Sequence, residues 1–211
     1  MAEGKDFSFS NMESAILAGK SSDALQAAVF ALSKGMRAED IVEGILRAWA
    51  SFCEWYDRDP KESLKAWANC YTATMKILKL LDSNVEKNPP PESPPFSVMV
   101  ATVKGEGHVL MKEIIVTLLK SKGLKVYSMK KGVLLEDMEG ALADPSLKFI
   151  VLSCIEGQTE DRLCNLVKGI RVKRPDIKIV AGGPAAYIVR ADIAPSDPSA
   201  IYASLTEGSL P

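Results

Sequence analysis

The chain has 211 residues, of which 47% are hydrophobic and 25% charged, a composition typical of globular proteins with one large or two small domains. Its 26 Lys and Arg residues are balanced by 27 Asp and Glu residues, which argues against nucleic acid or an anionic membrane as a partner. The polar N-terminus does not resemble a signal peptide, and no apolar run of about 18 residues occurs, so we expect a cytoplasmic protein.

The first part of the chain shows helical periodicity throughout. Helices are predicted near residues 10–18, 22–34, 38–56 and 60–85. The third helix has an apolar stripe at spacings of three and four, made of Ile41, Ile45, Trp49, Phe52 and Tyr56. The fourth has a matching stripe, made of Leu64, Trp67, Tyr71, Met75 and Leu78. Asp59 and Pro60 suit the N-cap and first position of the fourth helix. Together these features predict a four-helix bundle.

A proline-rich segment, Asn-Pro-Pro-Pro-Glu-Ser-Pro-Pro, follows at residues 88–95. Proline fixes φ and lacks an N–H group, so this segment suits neither a helix nor a central strand. A polyproline II conformation at about 3.1 Å per residue would make it a semi-rigid spacer of roughly 25 Å. We therefore predict a helical domain over residues 1–87, a linker over 88–95 and a second domain over 96–211.

In the second domain, short apolar runs alternate with helical segments. Strands are predicted at residues 96–103, 125–129, 149–153 and 177–180, with a possible last strand at 200–203. Helices are predicted at residues 110–119, 134–142, 159–173 and 185–190. Strict alternation predicts a Rossmann-like, flavodoxin-like parallel sheet with ligands at the carboxyl ends of its strands.

Three groups of residues lie at predicted strand ends: Glu106 with His108, Ser153, and Gly182 with Gly183. His108 is the single histidine of the chain, and a carboxylate two residues earlier is placed to accept a proton from its ring. A neutral imidazole is a good transition-metal ligand, although a single loop histidine is also compatible with a solvated side chain, and the two glycines with an ordinary turn.

Several other chemistries do not match the sequence. The third glycine of a dinucleotide fingerprint is replaced by Leu110, and no phosphate-binding P-loop sequence occurs. The residues after Ser153 do not form a nucleophile elbow. The four cysteines show no C-x-x-C pair, so a structural zinc site is not expected.

The spacing of the three groups resembles that of the cobalamin-binding fold, whose motif is Asp-x-His-x-x-Gly, then Ser-x-Leu, then Gly-Gly. Here Glu106-Gly107-His108-Val109-Leu110-Met111 is followed after 41 residues by Ser153-Cys154-Ile155 and after 26 more by Gly182-Gly183. Both gaps agree with those of the family. The arrangement of a helical bundle followed by a sheet domain is similar to that of the corrinoid proteins of methyltransferase systems.

This resemblance implies a role for each matched position. His108 would replace the nucleotide base of cobalamin as the lower axial ligand of cobalt, and Glu106 would bond the other ring nitrogen. The displaced dimethylbenzimidazole tail would enter a slot permitted by Ser153, Gly182 and Gly183. The remaining motif positions implied to line the cofactor site are Gly107, Met111 and Ile155.

Two positions depart from the family pattern. Glu106 stands where the family has Asp, so a looser or water-bridged contact with the imidazole is one alternative. Met111 replaces the last Gly of the motif, and its side chain could fold aside or reshape the slot. On the bundle, Trp49 is expected either to contact the upper face of the corrin, as the resemblance suggests, or to be ordinary bundle core, whereas Trp67 and Met75 are interpreted as bundle core.

The resemblance implies a corrinoid methyl carrier rather than a stand-alone catalyst. Its expected partners are a substrate methyltransferase, as in O-demethylation of methoxylated aromatics, an acceptor methyltransferase using tetrahydrofolate or a thiol, and a reductive activator. Two alternatives stay open: a cobalamin-dependent sensor, for which no DNA-binding helix pair or basic patch is evident, and an interaction domain that has lost the cofactor.

Overall fold

The computed structural model describes residues 3–91, 93–129, 131–154 and 159–207, and at residues 3–9, 183 and 184 it describes the backbone alone. The chain divides into two compact units, Met1–Pro89 and Pro90–Pro211. Within the described ranges, no helix is both long enough and apolar enough to span a membrane.

The first unit is a four-helix bundle, as predicted. Its described helices are α1 (Glu3–Leu17), α2 (Ser21–Ser33), α3 (Ala38–Arg58) and α4 (Pro60–Lys87). Helix α1 packs against α2 and α3, and α4 packs against the same two helices, so all four share one core. The Asp59 carboxylate accepts a hydrogen bond from the Glu62 N–H at 3.2 Å, and Pro60 lies in the first turn of α4. This cap explains why the chain reverses between α3 and α4.

The apolar stripe of α3 is confirmed over most of its length, whereas that of α4 is confirmed at Leu78 and wrong at its first two positions. Ile41, Ile45 and Phe52 are buried, but Leu64 is 58% and Trp67 40% exposed. The buried face of α4 consists of Ser63, Cys70, Ala73, Thr74, Ile77, Leu78 and Leu81, of which only Leu78 belongs to the predicted stripe. Small side chains on this face, such as Ser63, Cys70 and Ala73, allow close helix packing but contribute little to a hydrophobic pattern, so the pattern selected the wrong residues in the first half of α4.

The second unit contains a parallel sheet in its described part, as predicted. Its strands are β1 (Ser97–Ala101), β2 (Lys125–Ser128), β3 (Leu147–Leu152) and β4 (Lys178–Ala181). Their order is β2-β1-β3-β4, which matches the start of the flavodoxin-like arrangement.

Helices cover both faces of this sheet. On one face lie α5 (Leu110–Ser121) and α9 (Ile201–Glu207). On the other lie α6 (Glu139–Leu142), α7 (Glu160–Lys173) and α8 (Gly183–Val189). The predicted helix at 134–142 is shorter than expected, since α6 is preceded by a 3-10 turn at Glu136–Met138.

The predicted strand at 200–203 is wrong, because this segment begins α9. The Asp197 carboxylate accepts hydrogen bonds from the N–H groups of Ser199 and Ala200 at 2.9 and 3.1 Å, and a 3-10 turn, Pro198–Ala200, leads into the helix. Ile201 and Leu205, four residues apart, are buried in the core on the α5 face of the sheet. The Asp cap and the helical spacing therefore outweigh the short apolar run.

Candidate functional site

The loop that carries His108 joins the carboxyl end of β1 to α5. Its start is fixed to the chain ahead of α6, since the Val133 N–H donates to the Thr102 carbonyl at 2.8 Å and the Lys104 N–H donates to the Val133 carbonyl at 3.0 Å. The Glu106 N–H then donates to the Val103 carbonyl at 3.0 Å, which closes a tight turn. The backbone leading to His108 is thus held by hydrogen bonds before any side chain is considered.

Gly105 gives this turn its shape. Its φ of 97° lies in a region that residues with a side chain rarely adopt. A Cβ at this position would also collide with the guanidinium of Arg162 on α7, which donates to the Lys104 carbonyl at 3.1 Å. Arg162 therefore ties the loop to α7 at a point where only glycine leaves room for it.

Glu106 and His108 form a hydrogen-bonded pair at the tip of the loop. Glu106 Oε1 accepts from the His108 backbone N–H and contacts His108 Nδ1, both at 2.8 Å. The Glu106 side chain is fully buried, whereas that of His108 is 50% exposed. The extra methylene of glutamate, compared with aspartate, does not prevent a direct contact. With Nδ1 bonded to Glu106, Nε2 is the ring nitrogen through which the imidazole would bind a metal.

Lys112 fixes the first turn of α5, immediately after this loop. Its side chain is fully buried. The ammonium donates to the Met129 carbonyl, beyond the end of β2, at 2.6 Å and contacts Glu113 Oε1 at 2.8 Å. The buried lysine thus joins α5 to β2 at the carboxyl end of the sheet. No sequence pattern marks this lysine as buried, because a lysine in an amphipathic helix ordinarily faces solvent.

A cavity of about 390 Å³ lies at the same end of the sheet. Its walls are mainly apolar, and its lining comprises Met111, Ile115, Val151, Leu152, Ser153, Cys154, Val180, Gly182, Pro195, Ser196, Asp197, Pro198 and Ile201. Such a volume, with a few polar groups among apolar walls, is typical of small-molecule sites.

The cavity brings three predicted site residues together, namely Met111, Ser153 and Gly182. Gly183 begins α8 directly after it, and Gly107 lies between the paired Glu106 and His108. Ile155 lies outside the described residues.

Trp49 belongs to the other unit and is buried in the helical bundle. Its indole N–H donates to Thr74 Oγ1 at 2.9 Å, and its ring contacts that of Phe52, with centroids 5.0 Å apart. These contacts account for its burial within the bundle. Its expected contact with the corrin stays a prediction.

One wall of the cavity was missed from the sequence. Residues 195–198 and Ile201 form it, and they belong to the segment that was expected to end in a strand. The sequence does contain a helix-start signal here, because Asp197-Pro198 has the same cap pattern as Asp59-Pro60 at the start of α4.

Comparisons with known proteins identify the second unit. The family model for the B12 binding domain matches residues 96–211, more than half of the chain. The chain therefore belongs to the B12-binding domain family, and cobalamin is its cofactor. A search of curated proteins found no match.

Solved structures show the same fold across both units. The Methanosarcina barkeri monomethylamine corrinoid protein aligns with a TM-score of 0.74 at 17% identity, covering 96% of this chain and 99% of that one. A cobalamin-binding protein from Desulfitobacterium hafniense DCB-2 gives 0.53 at 15% identity, covering 94% and 97%. The methanol:cobalamin methyltransferase complex MtaBC from M. barkeri gives 0.52 at 16% identity, covering 97% and 81%.

The residues around the cavity suit the nucleotide tail of cobalamin. The apolar walls match an aromatic base, and the Ser153 hydroxyl is a donor that can serve a ring nitrogen. A Cβ at Gly182 would meet no atom within 4 Å, so open space lies beside this glycine. Glycine therefore leaves room that a larger residue would fill.

Proposed function

We propose that this protein is a corrinoid methyl carrier, which binds cobalamin with its own base displaced and His108 in its place. The observation that carries the proposal is the Glu106–His108 pair, which lies at the same end of the sheet as the apolar cavity of a B12-binding domain. Bound cobalamin supplies a cobalt centre that accepts and releases methyl groups.

The chain's own residues have separate tasks in this proposal. His108 ligates the cobalt through Nε2, and the buried Glu106 carboxylate orients the ring and raises its basicity. Ser153 donates to the displaced base, while Gly182 and Gly183 let the backbone approach it closely. Met111 also lines the cavity, and the spacing of the motif supports Gly107 and Ile155 as further cofactor-binding positions. A cavity of this size at the same end of the sheet as the paired histidine favours a binding domain over one that has lost its cofactor.

The proposed partners are two methyltransferases and a reductive activator. The similarity in fold to a monomethylamine corrinoid protein and to a methanol:cobalamin methyltransferase complex supports such partners. Among methyl donors, we propose methoxylated aromatics, with tetrahydrofolate or a thiol as the final acceptor.

A donor panel tests this function. The cobalamin-loaded protein, with its cobalt first reduced chemically to Co(I), is combined with purified methyltransferases for methoxylated aromatics, methanol and monomethylamine, and loss of each donor is followed by chromatography. We expect demethylation of a methoxylated aromatic that depends on this protein and is lost in His108→Ala. Demethylation of another donor would contradict the aromatic assignment, and activity with none would contradict the carrier function.

A further inference from the structure

Thr102, the residue that follows β1, has a buried hydroxyl without a hydrogen-bond partner. The residue is 1% exposed. Among the buried side-chain oxygen and nitrogen atoms of the described residues, Thr102 Oγ1 is the one without a hydrogen-bond partner. Its backbone carbonyl, by contrast, accepts the Val133 N–H at 2.8 Å. Burying a hydroxyl without a hydrogen-bond partner costs folding free energy, so such an atom in a native protein usually has a functional role, for example binding a ligand.

Strand alternation shows which face of the sheet the Thr102 side chain occupies. Val98 and Val100 belong to the core beneath α5, while Ala101 and Val103 belong to the core on the opposite face. Successive side chains of a strand point to opposite faces. Thr102 therefore lies on the α5 face, which is the face that contributes Ile115 and Val151 to the cavity.

The register of β1 and β3 places Thr102 next to a residue of the cavity. Ala101 pairs with Leu152, and the Ser153 N–H donates to the Ala101 carbonyl at 3.0 Å. Thr102 and Ser153 are thus neighbours across the two strands. Thr102 also lies four residues before Glu106, so it joins the cavity end of the sheet to the histidine loop.

We propose that the Thr102 hydroxyl is a cofactor-binding group that hydrogen bonds a polar atom of the nucleotide tail of cobalamin. The inference rests on the proposed binding of that tail in the cavity. It assigns Thr102 a place beside Ser153, so that two adjacent strands each present one hydroxyl to the cofactor. The unsatisfied hydroxyl of the protein alone then acquires its partner on binding.

The test compares wild type with Thr102→Val, which keeps the shape of the side chain and removes the hydroxyl, and with Thr102→Ser, which keeps the hydroxyl. Two quantities are measured: the dissociation constant for hydroxocobalamin, by equilibrium dialysis, and the free energy of unfolding of the cofactor-free protein, by urea titration. We expect Thr102→Val to weaken binding about three- to tenfold, the effect of one neutral hydrogen bond, without destabilising the cofactor-free protein. Thr102→Ser should bind more tightly than Thr102→Val.

Equal affinity of wild type and Thr102→Val would overturn the inference while leaving the proposed function intact. Destabilisation of cofactor-free Thr102→Val with unchanged affinity would also overturn it, because the hydroxyl would then serve a structural water. If wild type itself retained no cobalamin, the proposed function would fail and this inference with it.

Discussion

The two ends of the parallel sheet differ in how their polar groups are paired. At the amino ends of the strands, the Asp144 carboxylate is surrounded by hydrogen-bond donors from its own unit. At the carboxyl ends lie both the Glu106–His108 pair and the cavity. Asp144 accepts from the Tyr127 hydroxyl at 2.7 Å, from the Lys125 ammonium at 3.0 Å and from the Ser146 N–H at 2.8 Å. These bonds link the chain ahead of β3 to β2.

The difference shows that polar groups at one end of the sheet stabilise the fold, while those at the other end are available to a ligand. Polar groups at the amino ends satisfy one another, so they hold strands together and leave little to offer a ligand. At the carboxyl ends, the hydroxyl of Thr102 has no protein partner, and the His108 side chain is half exposed beside a buried carboxylate. Ligand sites in open α/β sheets lie at these ends of the strands.

Filling the cavity should have the largest effect on cofactor binding. Gly182 has extended backbone angles, with φ of −107°, and a Cβ there meets open space, so the fold should tolerate Gly182→Phe. The ring would occupy the space proposed for the nucleotide tail, and we expect no corrin to remain after desalting. Gly182→Ala is the control and should retain it. Retention by Gly182→Phe, with an unchanged circular dichroism spectrum, would place the tail elsewhere.

Truncating Lys112 should destabilise the carboxyl end of the sheet. Lys112→Ala removes a fully buried side chain and its hydrogen bond to the Met129 carbonyl, so we expect the free energy of unfolding to fall by about 3 kcal/mol. Lys112→Met keeps most of the buried volume and should recover part of this loss. Urea denaturation measures both variants. An alanine variant as stable as wild type would show that the stem of Lys112 does not support α5.

Removing the hydrogen-bond partner of His108 should weaken cofactor binding less than filling the cavity does. We expect Glu106→Ala to lower the affinity for hydroxocobalamin about 10- to 100-fold, the usual cost of losing a group that orients a metal-binding histidine. Glu106→Asp restores the family residue and should stay close to wild type. Equilibrium dialysis measures the dissociation constants of wild type, Glu106→Ala and Glu106→Asp. Equal constants for Glu106→Ala and wild type would show that Glu106 does not contribute to cofactor binding.

Neutralising Asp144 should lower stability in a pH-dependent way and leave cofactor binding unchanged. Its hydrogen bonds, first that from Tyr127, hold the pKa of its carboxyl well below the ordinary value of 3.8. A carboxyl with a lowered pKa in the folded state stabilises the protein above its unfolded pKa, and this contribution is lost as the pH falls below about 4. Asp144→Asn should therefore be less stable than wild type at pH 7, with the difference shrinking below pH 4.

Thermal unfolding of both proteins between pH 2 and 7 measures this change, with Tyr127→Phe as a variant that removes one donor and should show a smaller effect. A difference that is constant over the whole range would contradict the assigned role of the carboxylate. Cobalamin binding at pH 7 should be unaffected, because Asp144 lies at the other end of the sheet.

Much of this architecture was predictable because its signals are local. The alternation of strands and helices fixed the sheet, and the Asp59–Pro60 cap located the start of α4. The same cap occurs at Asp197–Pro198, but the short apolar run after it favours a strand, which is why the predicted strand at 200–203 is wrong and α9 was not predicted. A cap pattern at the start of a helical spacing is therefore a stronger signal than four apolar residues.

Other features depend on tertiary structure and leave no such signal. Helix α4 buries small residues such as Ala73 and leaves Trp67 exposed, and only packing against neighbouring helices decides that choice. The spacing of the motif placed Ser153 and Gly182 in one site, and both line the cavity. The motif does not indicate that Lys112 is buried or that the Thr102 hydroxyl has no partner. Such groups are recognised by burial, which one sequence does not reveal.

The most direct test of the central claim is the absorption spectrum of the protein after incubation with hydroxocobalamin and desalting, recorded beside that of His108→Ala. The account predicts that wild type retains the corrin in a form with its own base displaced and histidine bound, and that the spectrum changes in the variant. Identical spectra for the two proteins would contradict axial ligation by His108. Absence of retained corrin in wild type would contradict the account of the site as a whole.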